Sequence, residues 1–200
     1  MPDTRAQPPD SPTAPATPSL AVRVLRPVSR AWLAATRFQV LGRFPDDAKF
    51  IIIAAPHTTN WDLPHALAAG IQYGRAINWM GKATIFKFPF GGLMRWLGGI
   101  SVDRTKSTNA VGAMVNEFAA RDGLALVVAP AGTRSATVPW KSGFYHIAHG
   151  AKVPLVVAYI DYNRREIGIA DTIIPSGDYE ADLARIQAIY AAIMSRPKVG

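Results

Sequence analysis

The chain contains no cysteine among its 200 residues, which excludes disulfide bonds, Cys-ligated zinc and thiol nucleophiles. Acidic residues are also few, because 14 Asp and Glu stand against 22 Lys and Arg, giving a formal charge of +8. Such an excess favours anionic surroundings: nucleic acid, an acidic membrane surface or phosphorylated small molecules. Apolar residues make up 49% of the chain, enough for one compact domain with a sizeable core.

A secretory signal is not apparent, because the first 19 residues carry six prolines and no apolar stretch. Such a segment cannot bury enough surface to become ordered, so we predict a disordered tail over 1–19. Segment 20–45 is apolar but interrupted by five arginines, whereas a membrane span needs about 20 apolar residues with few charges. We therefore expect a cytoplasmic chain.

Segment 20–45 is predicted to be a basic amphipathic helical region. At 100° per residue, its arginines 23, 26, 30 and 37 fall within a sector of roughly 60°, and Pro27 favours a regular helix that starts near it. Two interpretations stay open. The segment either lies on anionic lipid or is an ordinary surface helix with solvated arginines.

Strands and helices alternate over 46–200. Strands are predicted at KFIIIAA, AINWM, GISV, GLALVVA and VPLVVAYI, with EIGIAD as an edge strand. Helices are predicted over 62–72, 90–96, 108–120, 141–151 with Gly150 as the stop, and from 179 onward. The alternation predicts one α/β domain with a central, largely parallel sheet flanked by helices.

His57 and Asp62 lie where the first strong strand passes into a helix, in the sequence HTTNWD. Ligands of such sheets bind beyond the carboxyl ends of the strands. A histidine there can take a proton from a substrate hydroxyl, while a carboxylate accepts its other N–H and fixes its tautomer. The same spacing suits a helix N-terminal Asp62 with His57 as a bystander.

Two later strands end in residues suited to anions. GGISVDR ends in Arg104, whose planar guanidinium matches phosphate or pairs with Asp103 at the surface. APAGTRS places Gly132, Thr133 and Arg134 in a short turn whose N–H groups and guanidinium could hold an anion. Each stretch is by itself also an ordinary turn.

Other chemistries find little support in the sequence. GISVD puts Asp103 where a Gly-x-Ser-x-Gly elbow around Ser101 needs glycine, and nucleic-acid binding has only the net charge behind it. His146 and His149 are spaced for a metal, but no acidic cluster accompanies them. We predict neither a metal site nor a nucleic-acid partner.

Taken in order, the stretches resemble the glycerolipid acyltransferase superfamily, typified by 1-acylglycerol-3-phosphate acyltransferase. That family carries a His-x4-Asp block, a Gly-rich block ending in Arg, a Pro-Glu-Gly-Thr-Arg-Ser block and a Val/Ile-Pro strand. The similar blocks here are 57–62, 98–104, 130–135 and 153–158, and the resemblance covers about 49–160.

The resemblance implies an enzyme that moves a fatty acyl group from acyl-coenzyme A or acyl carrier protein to the hydroxyl of a lysophospholipid or related acceptor, without a bound cofactor. His57 would be the general base, oriented and stabilised by Asp62. A phosphate of either substrate would be held by the guanidinium groups of Arg104 and Arg134 and by the backbone of Gly132 and Thr133. Lys82 is a weaker candidate for the same role. The expected location is the cytoplasm, peripherally on the anionic inner face of the cell membrane.

Two positions depart from the family pattern. Pro56 replaces the Asn before the histidine, which leaves a soluble sugar or polyol acceptor open. Ala131 replaces the Glu of the third block, through deliberate alteration or natural divergence, and the intact remainder of the block favours alteration. Because alanine can neither accept a hydrogen bond nor carry charge, a catalytically inactive lipid- or acyl-coenzyme-A-binding protein is the second alternative.

Four aromatic residues are candidates for contact with an acyl chain or a membrane: Trp61, Phe86, Phe88 and Phe90. Core packing is the alternative for most aromatics of this region. Lys87, between phenylalanines in FKFPF, favours an exposed loop there.

Overall fold

The computed structural model describes residues 20–55, 59–102, 107–131 and 139–197, with the side chains of 107–109 left out. Its strands are β1 (Gln39–Leu41), β2 (Lys49–Ala54), β3 (Asn78–Lys82), β4 (Gly99–Val102), β5 (Leu124–Val128), β6 (Leu155–Asp161) and β7 (Glu166–Ile173). Its helices are α1 (Leu20–Ala35), α2 (Asp62–Gln72), α3 (Gly91–Trp96), α4 (Ser107–Ala120), α5 (Gly143–Ala151) and α6 (Tyr179–Met194), with a 3₁₀ turn at Ala83–Phe86.

The seven strands form one sheet in the order β1-β7-β6-β2-β5-β3-β4. Every neighbouring pair is parallel except β6 and β7, which are antiparallel. The central strand β2 reads KFIIIA because both of its faces are buried, as is usual in parallel sheets. The predicted single α/β domain with a largely parallel sheet is thereby confirmed.

Alternate residues of β2 contribute to separate cores on the two faces of the sheet. Ile51 and Ile53 pack with residues of α4, α5 and α6, whereas Phe50 and Ile52 pack on the side of α2. Helix α1 lies over α2, where Leu33 joins a third apolar cluster. The sheet therefore has α4, α5 and α6 on one face and α2, with α1 behind it, on the other.

The segment EIGIAD is a strand, as predicted, but it is not at the edge of the sheet. This segment lies in β7, which pairs with β6 on one side and with the unpredicted β1 on the other. Strand β1 has only three residues, too few for an alternating apolar pattern to identify it. The far edge of the sheet is thus formed by a segment that precedes β2.

Helix α1 starts seven residues before Pro27, not near it as predicted. Pro27 is on the exposed side, where water can hydrate the carbonyl that loses its helical partner. Arg37 lies beyond the helix with φ 59°, so the arginine stripe reduces to 23, 26 and 30. The division into segments 20–45 and 46–200 stays a prediction, although Gln39–Leu41 belongs to the sheet.

Gly150 does not end α5, contrary to the prediction. The helix continues to Ala151, and the left-handed residue after it is Lys152, with φ 54°. A Cβ on Gly150 would lie 3.0 Å from Cγ2 of Val115 on α4. Glycine is used there because two helices approach closely, not because the chain must turn.

Candidate active site

The strands that precede the motif blocks are neighbours in the sheet. Strands β2, β5, β3 and β4 lie side by side and parallel, so their carboxyl ends share one edge. Asp62 follows β2, Lys82 ends β3, and Ala131 follows β5. His57, Arg104, Gly132, Thr133 and Arg134 lie outside the described residues, so their predicted roles stay predictions.

Asp62 is a buried carboxylate at the first position of α2. The Thr59 N–H donates to its Oδ2 (3.2 Å), and the Tyr162 hydroxyl donates to its Oδ1 (2.7 Å). A buried carboxylate is stable as an anion only when such donors replace water, and the helix N-terminus adds to this stabilisation. These two hydrogen bonds fix the orientation of the Asp62 carboxylate at the start of α2.

Tyr162 reaches Asp62 from the turn between β6 and β7, because β6 lies next to β2. The Asp161 carboxylate fixes this turn by accepting the backbone N–H groups of Asn163 (2.9 Å) and Arg164 (3.0 Å). Burial, then the hydrogen bond to Asp62 and its charge, raise the pKa of Tyr162 well above its usual range. The hydroxyl stays protonated and remains a donor at neutral pH.

His65 lies one turn along α2 from Asp62, in an aromatic enclosure. Its ring is 4.4 Å from that of Phe38 and 5.6 Å from that of Trp32, measured between centroids. Its Nδ1 hydrogen-bonds the Trp61 carbonyl (2.7 Å), while its buried Nε2 has no partner among the described residues. Trp32 of α1 also stacks on Trp61, with centroids 6.1 Å apart, so α1 supports the neighbourhood of Asp62.

Ala131 and Lys82 border the same edge of the sheet. Ala131 is half-buried in the turn after β5, and the Pro130 carbonyl accepts the Lys141 N–H (3.0 Å). This bond joins the described residues on either side of 132–138. Lys82 is exposed, so its ammonium group is accessible to a phosphate.

The four aromatic candidates fall into two groups. Phe86 is buried against Trp79, and its ring fills the space that side chains at Gly81 and Gly99 would occupy. This burial argues against membrane contact by Phe86, and acyl-chain contact stays a prediction. Trp61, Phe88 and Phe90 are exposed, Phe88 almost completely at 97%. Leu93 and Trp96 of α3 are exposed as well.

A small apolar cleft of about 40 Å³ lies between α2 and the sheet. Its wall includes Ala54 at the end of β2 and Ala66 on α2, one turn beyond Asp62. The Tyr73 hydroxyl, which could have made the cleft polar, is engaged by the Leu41 carbonyl (2.7 Å). The cleft is therefore apolar, but it is too small to hold an acyl chain.

The part of the chain that the structure describes has no cluster of three or more His, Asp or Glu side chains arranged to hold a metal ion. His146 and His149 instead stack on tyrosines of the core: His149 on Tyr145 and His146 on Tyr179. Within the same described ranges, no helix has the length and apolar content to cross a membrane.

Comparison with known proteins bears on the motif blocks. A family model described as Acyltransferase matches residues 37–161. The 1-acyl-sn-glycerol-3-phosphate acyltransferase of Haemophilus influenzae is 31% identical over 170 residues, covering 74% of this chain and 69% of that protein. The enzyme of the same name from Escherichia coli is 31% identical over 137 residues, or 64% of this chain, and the chain spans about half (54%) of its length.

A solved structure shows the same fold. The crystal structure of the 1-acyl-sn-glycerophosphate acyltransferase from Thermotoga maritima superposes with a TM-score of 0.65. The match covers 89% of this chain and 81% of that one at 17% sequence identity.

Proposed function

Since the chain belongs to the acyltransferase family, we propose that it transfers a fatty acyl group from an acyl thioester to the hydroxyl of a lysophospholipid. The main support is the edge of the sheet where β2, β5, β3 and β4 end side by side. Each of these strands leads into a residue or block to which the resemblance assigns a role. The relatives' names supply the acceptor class.

In the proposed reaction, His57 takes the proton of the acceptor hydroxyl as its oxygen attacks the thioester carbonyl. The tetrahedral intermediate collapses by breaking the carbon–sulfur bond, and the imidazolium returns the proton to the leaving thiolate. Asp62 accepts the second imidazole N–H and stabilises its positive charge. Its burial and its two donors support this role.

The proposed phosphate site combines Arg104, Arg134 and the Gly132–Thr133 backbone with Lys82. Guanidinium groups bind phosphate in a bidentate manner, and exposed Lys82 ends the strand between β5 and β4.

We propose peripheral membrane association through the outer face of α1. Leu20, Val24 and Val28 point outward and are 74%, 63% and 65% exposed, while Val22 and Leu33 are buried on the inner side. The arginines 23, 26 and 30 flank the apolar residues and are exposed, so one face offers apolar contact and positive charge together. Phe88, Phe90 and Trp96 are further exposed aromatic side chains that could contact lipid.

Thiol release from acyl-coenzyme A with a panel of acceptors tests the proposal. We expect thiol release with lysophosphatidate alone. Release with soluble sugars would show instead that the acceptor is a sugar or polyol. His57→Ala should abolish release, with Lys152→Ala, remote from the strand carboxyl ends, as the control. If the His57→Ala protein still turned over, the assigned base would be wrong.

A second function has a specific observation behind it, namely Ala131 in place of the motif Glu. Without that carboxylate the protein could bind lipid or acyl-coenzyme A without transfer. Binding by calorimetry, together with no thiol release even after Ala131→Glu, would favour this alternative.

A further inference from the structure

The geometry points to Tyr162 as a positioning residue that acts through Asp62. The inference rests on the proposed role of Asp62 as the partner of the general base. Tyr162 is not part of any motif block, and it lies 100 residues from Asp62 in the chain. It nevertheless makes the shortest hydrogen bond to that carboxylate among the described contacts, at 2.7 Å.

The placement of Tyr162 is built into the fold on several sides. The β6–β7 turn that carries it is fixed by Asp161 and by Arg165, which adopts φ 56°. The ring is held edge-on by Phe38, with centroids 5.4 Å apart, and by His65 at 5.9 Å. A side chain held in this way offers its hydroxyl in one direction at little further entropic cost.

The two donors to Asp62 divide its oxygens between them. Tyr162 binds Oδ1 while the Thr59 N–H binds Oδ2, so the carboxylate plane is fixed at both ends. Thr59 belongs to the local turn before α2, whereas Tyr162 ties the carboxylate to the central sheet. Rotation of Asp62 about its last side-chain bond would break at least one of these hydrogen bonds.

Loss of the hydroxyl should therefore leave substrate binding intact and impair the chemical step. We expect Tyr162→Phe, which keeps the ring contacts with Phe38 and His65, to lower kcat roughly ten-fold with KM unchanged. The carboxylate, with one donor fewer, attracts the proton on His57 more strongly. The acid limb of the kcat/KM profile should then move to higher pH.

Titration of the histidines by NMR provides a readout that needs no turnover. His57, assigned by its absence in His57→Ala, should show a pKa about half a unit higher in Tyr162→Phe than in the parent. His65 on α2 and Arg165 in the turn are charged or titratable neighbours of the pair. The His65 signal is followed separately, so that its titration is not mistaken for that of His57.

Tyr145→Phe is the matched control, because Tyr145 also donates to a buried carboxylate, Asp182 at 2.8 Å, on the opposite face of the sheet. It should lower thermal stability and leave the His57 pKa and kcat unchanged. In an Asp62→Asn background, Tyr162→Phe should add nothing to either readout, since Tyr162 acts through Asp62.

An unchanged His57 pKa in folded Tyr162→Phe, or an equal shift in Tyr145→Phe, would overturn the role of Tyr162. So would a full Tyr162→Phe effect that persists without the Asp62 carboxylate. Activity that survives His57→Ala would instead count against the proposed function itself. The two failures are therefore distinguishable.

Discussion

Two tyrosine–aspartate pairs lie on opposite faces of the sheet, and their carboxylates differ in which oxygens accept hydrogen bonds. Asp182, in the first turns of α6, accepts at Oδ2 from the Tyr145 hydroxyl (2.8 Å), the Ser176 N–H (2.7 Å) and the Ser176 hydroxyl (2.9 Å). Asp62 instead accepts at both oxygens, and it lies at the edge of the sheet where β2, β5, β3 and β4 end.

The two carboxylates differ in where they lie: Asp182 is near the start of α6, and Asp62 opens α2 directly after β2. Burial by itself would raise the pKa of Asp182, but the hydrogen bonds from Ser176 and Tyr145 outweigh it and lower the pKa below its usual range. Those donors join the start of α6 to α5. The donors of Asp62 instead fix its orientation at the start of α2. Two hydrogen bonds of the same chemical type therefore lie at different places in the fold. We expect their roles to differ because only the Asp62 residue directly follows a strand that leads into a motif block.

The largest expected effect compares Asp62→Asn with Asp182→Asn. The first keeps the shape and removes the charge that stabilises an imidazolium, so we expect kcat to fall roughly 10³-fold. The second should leave kcat within about two-fold, since it is on the other face. Thiol-release rates per folded molecule, with folding checked by circular dichroism, test the contrast. Similar losses in both variants would remove it.

Stability should show the reverse order. Asp182→Ala leaves three donors unpaired in a buried place, so we expect the free energy of unfolding to fall by about 3 kcal/mol. For Asp62→Ala, which removes the acceptor of the Thr59 N–H and of the Tyr162 hydroxyl, about 1–2 kcal/mol is expected. Urea unfolding measures both, and Asp178→Ala, which removes the N-cap of α6, serves as a local reference of about 1 kcal/mol.

Ala131→Glu tests the carboxyl edge of the sheet without changing either tyrosine–aspartate pair. Restoring a carboxylate to the third block should raise turnover by about ten-fold or more. Ala131→Gln, similar in size but uncharged, is the control and should give a smaller gain. Equal acyl-transfer rates for the parent and Ala131→Glu would contradict the expectation.

The smallest expected effect is on acid stability. Because the folded-state pKa of Asp182 lies below its usual value of 3.8, the stabilisation is fully present above that value and is lost as the pH falls through the folded pKa. Urea midpoints measured from pH 5 down to pH 3 should decline less steeply in Asp182→Asn than in the parent. Parallel curves would show that the carboxylate contributes no such dependence.

Sequence patterns predicted the elements more completely than their arrangement. The bounds of α2, 62–72, are met to the residue, and the start of α6 after Asp178 is confirmed, because both helices follow clear local signals. The order of strands is a different matter. Nothing near Tyr162 indicates that β6 lies beside β2, so a contact across 100 residues is invisible to local periodicity.

The candidate site shows the same division. Asp62 was identifiable from its place after a predicted parallel strand, whereas Lys82 and Ala131 were identified through the resemblance to the acyltransferase superfamily. The enclosure of His65 by Phe38 and Trp32 was not, since it depends on how α1 crosses α2. Phe86 resembles its exposed neighbours Phe88 and Phe90 in sequence, and only the glycines on β3 and β4 explain its burial.

Strand β1 has a practical consequence for shortened versions of the chain. Its three residues cover one side of β7, which is eight residues long. A truncation that removes residues up to 45 would strip that cover and leave a row of unpaired amide and carbonyl groups, to which a second molecule could add a strand. Expression designs that retain Gln39–Leu41 should stay monodisperse longer in concentrated solution than designs that begin at β2.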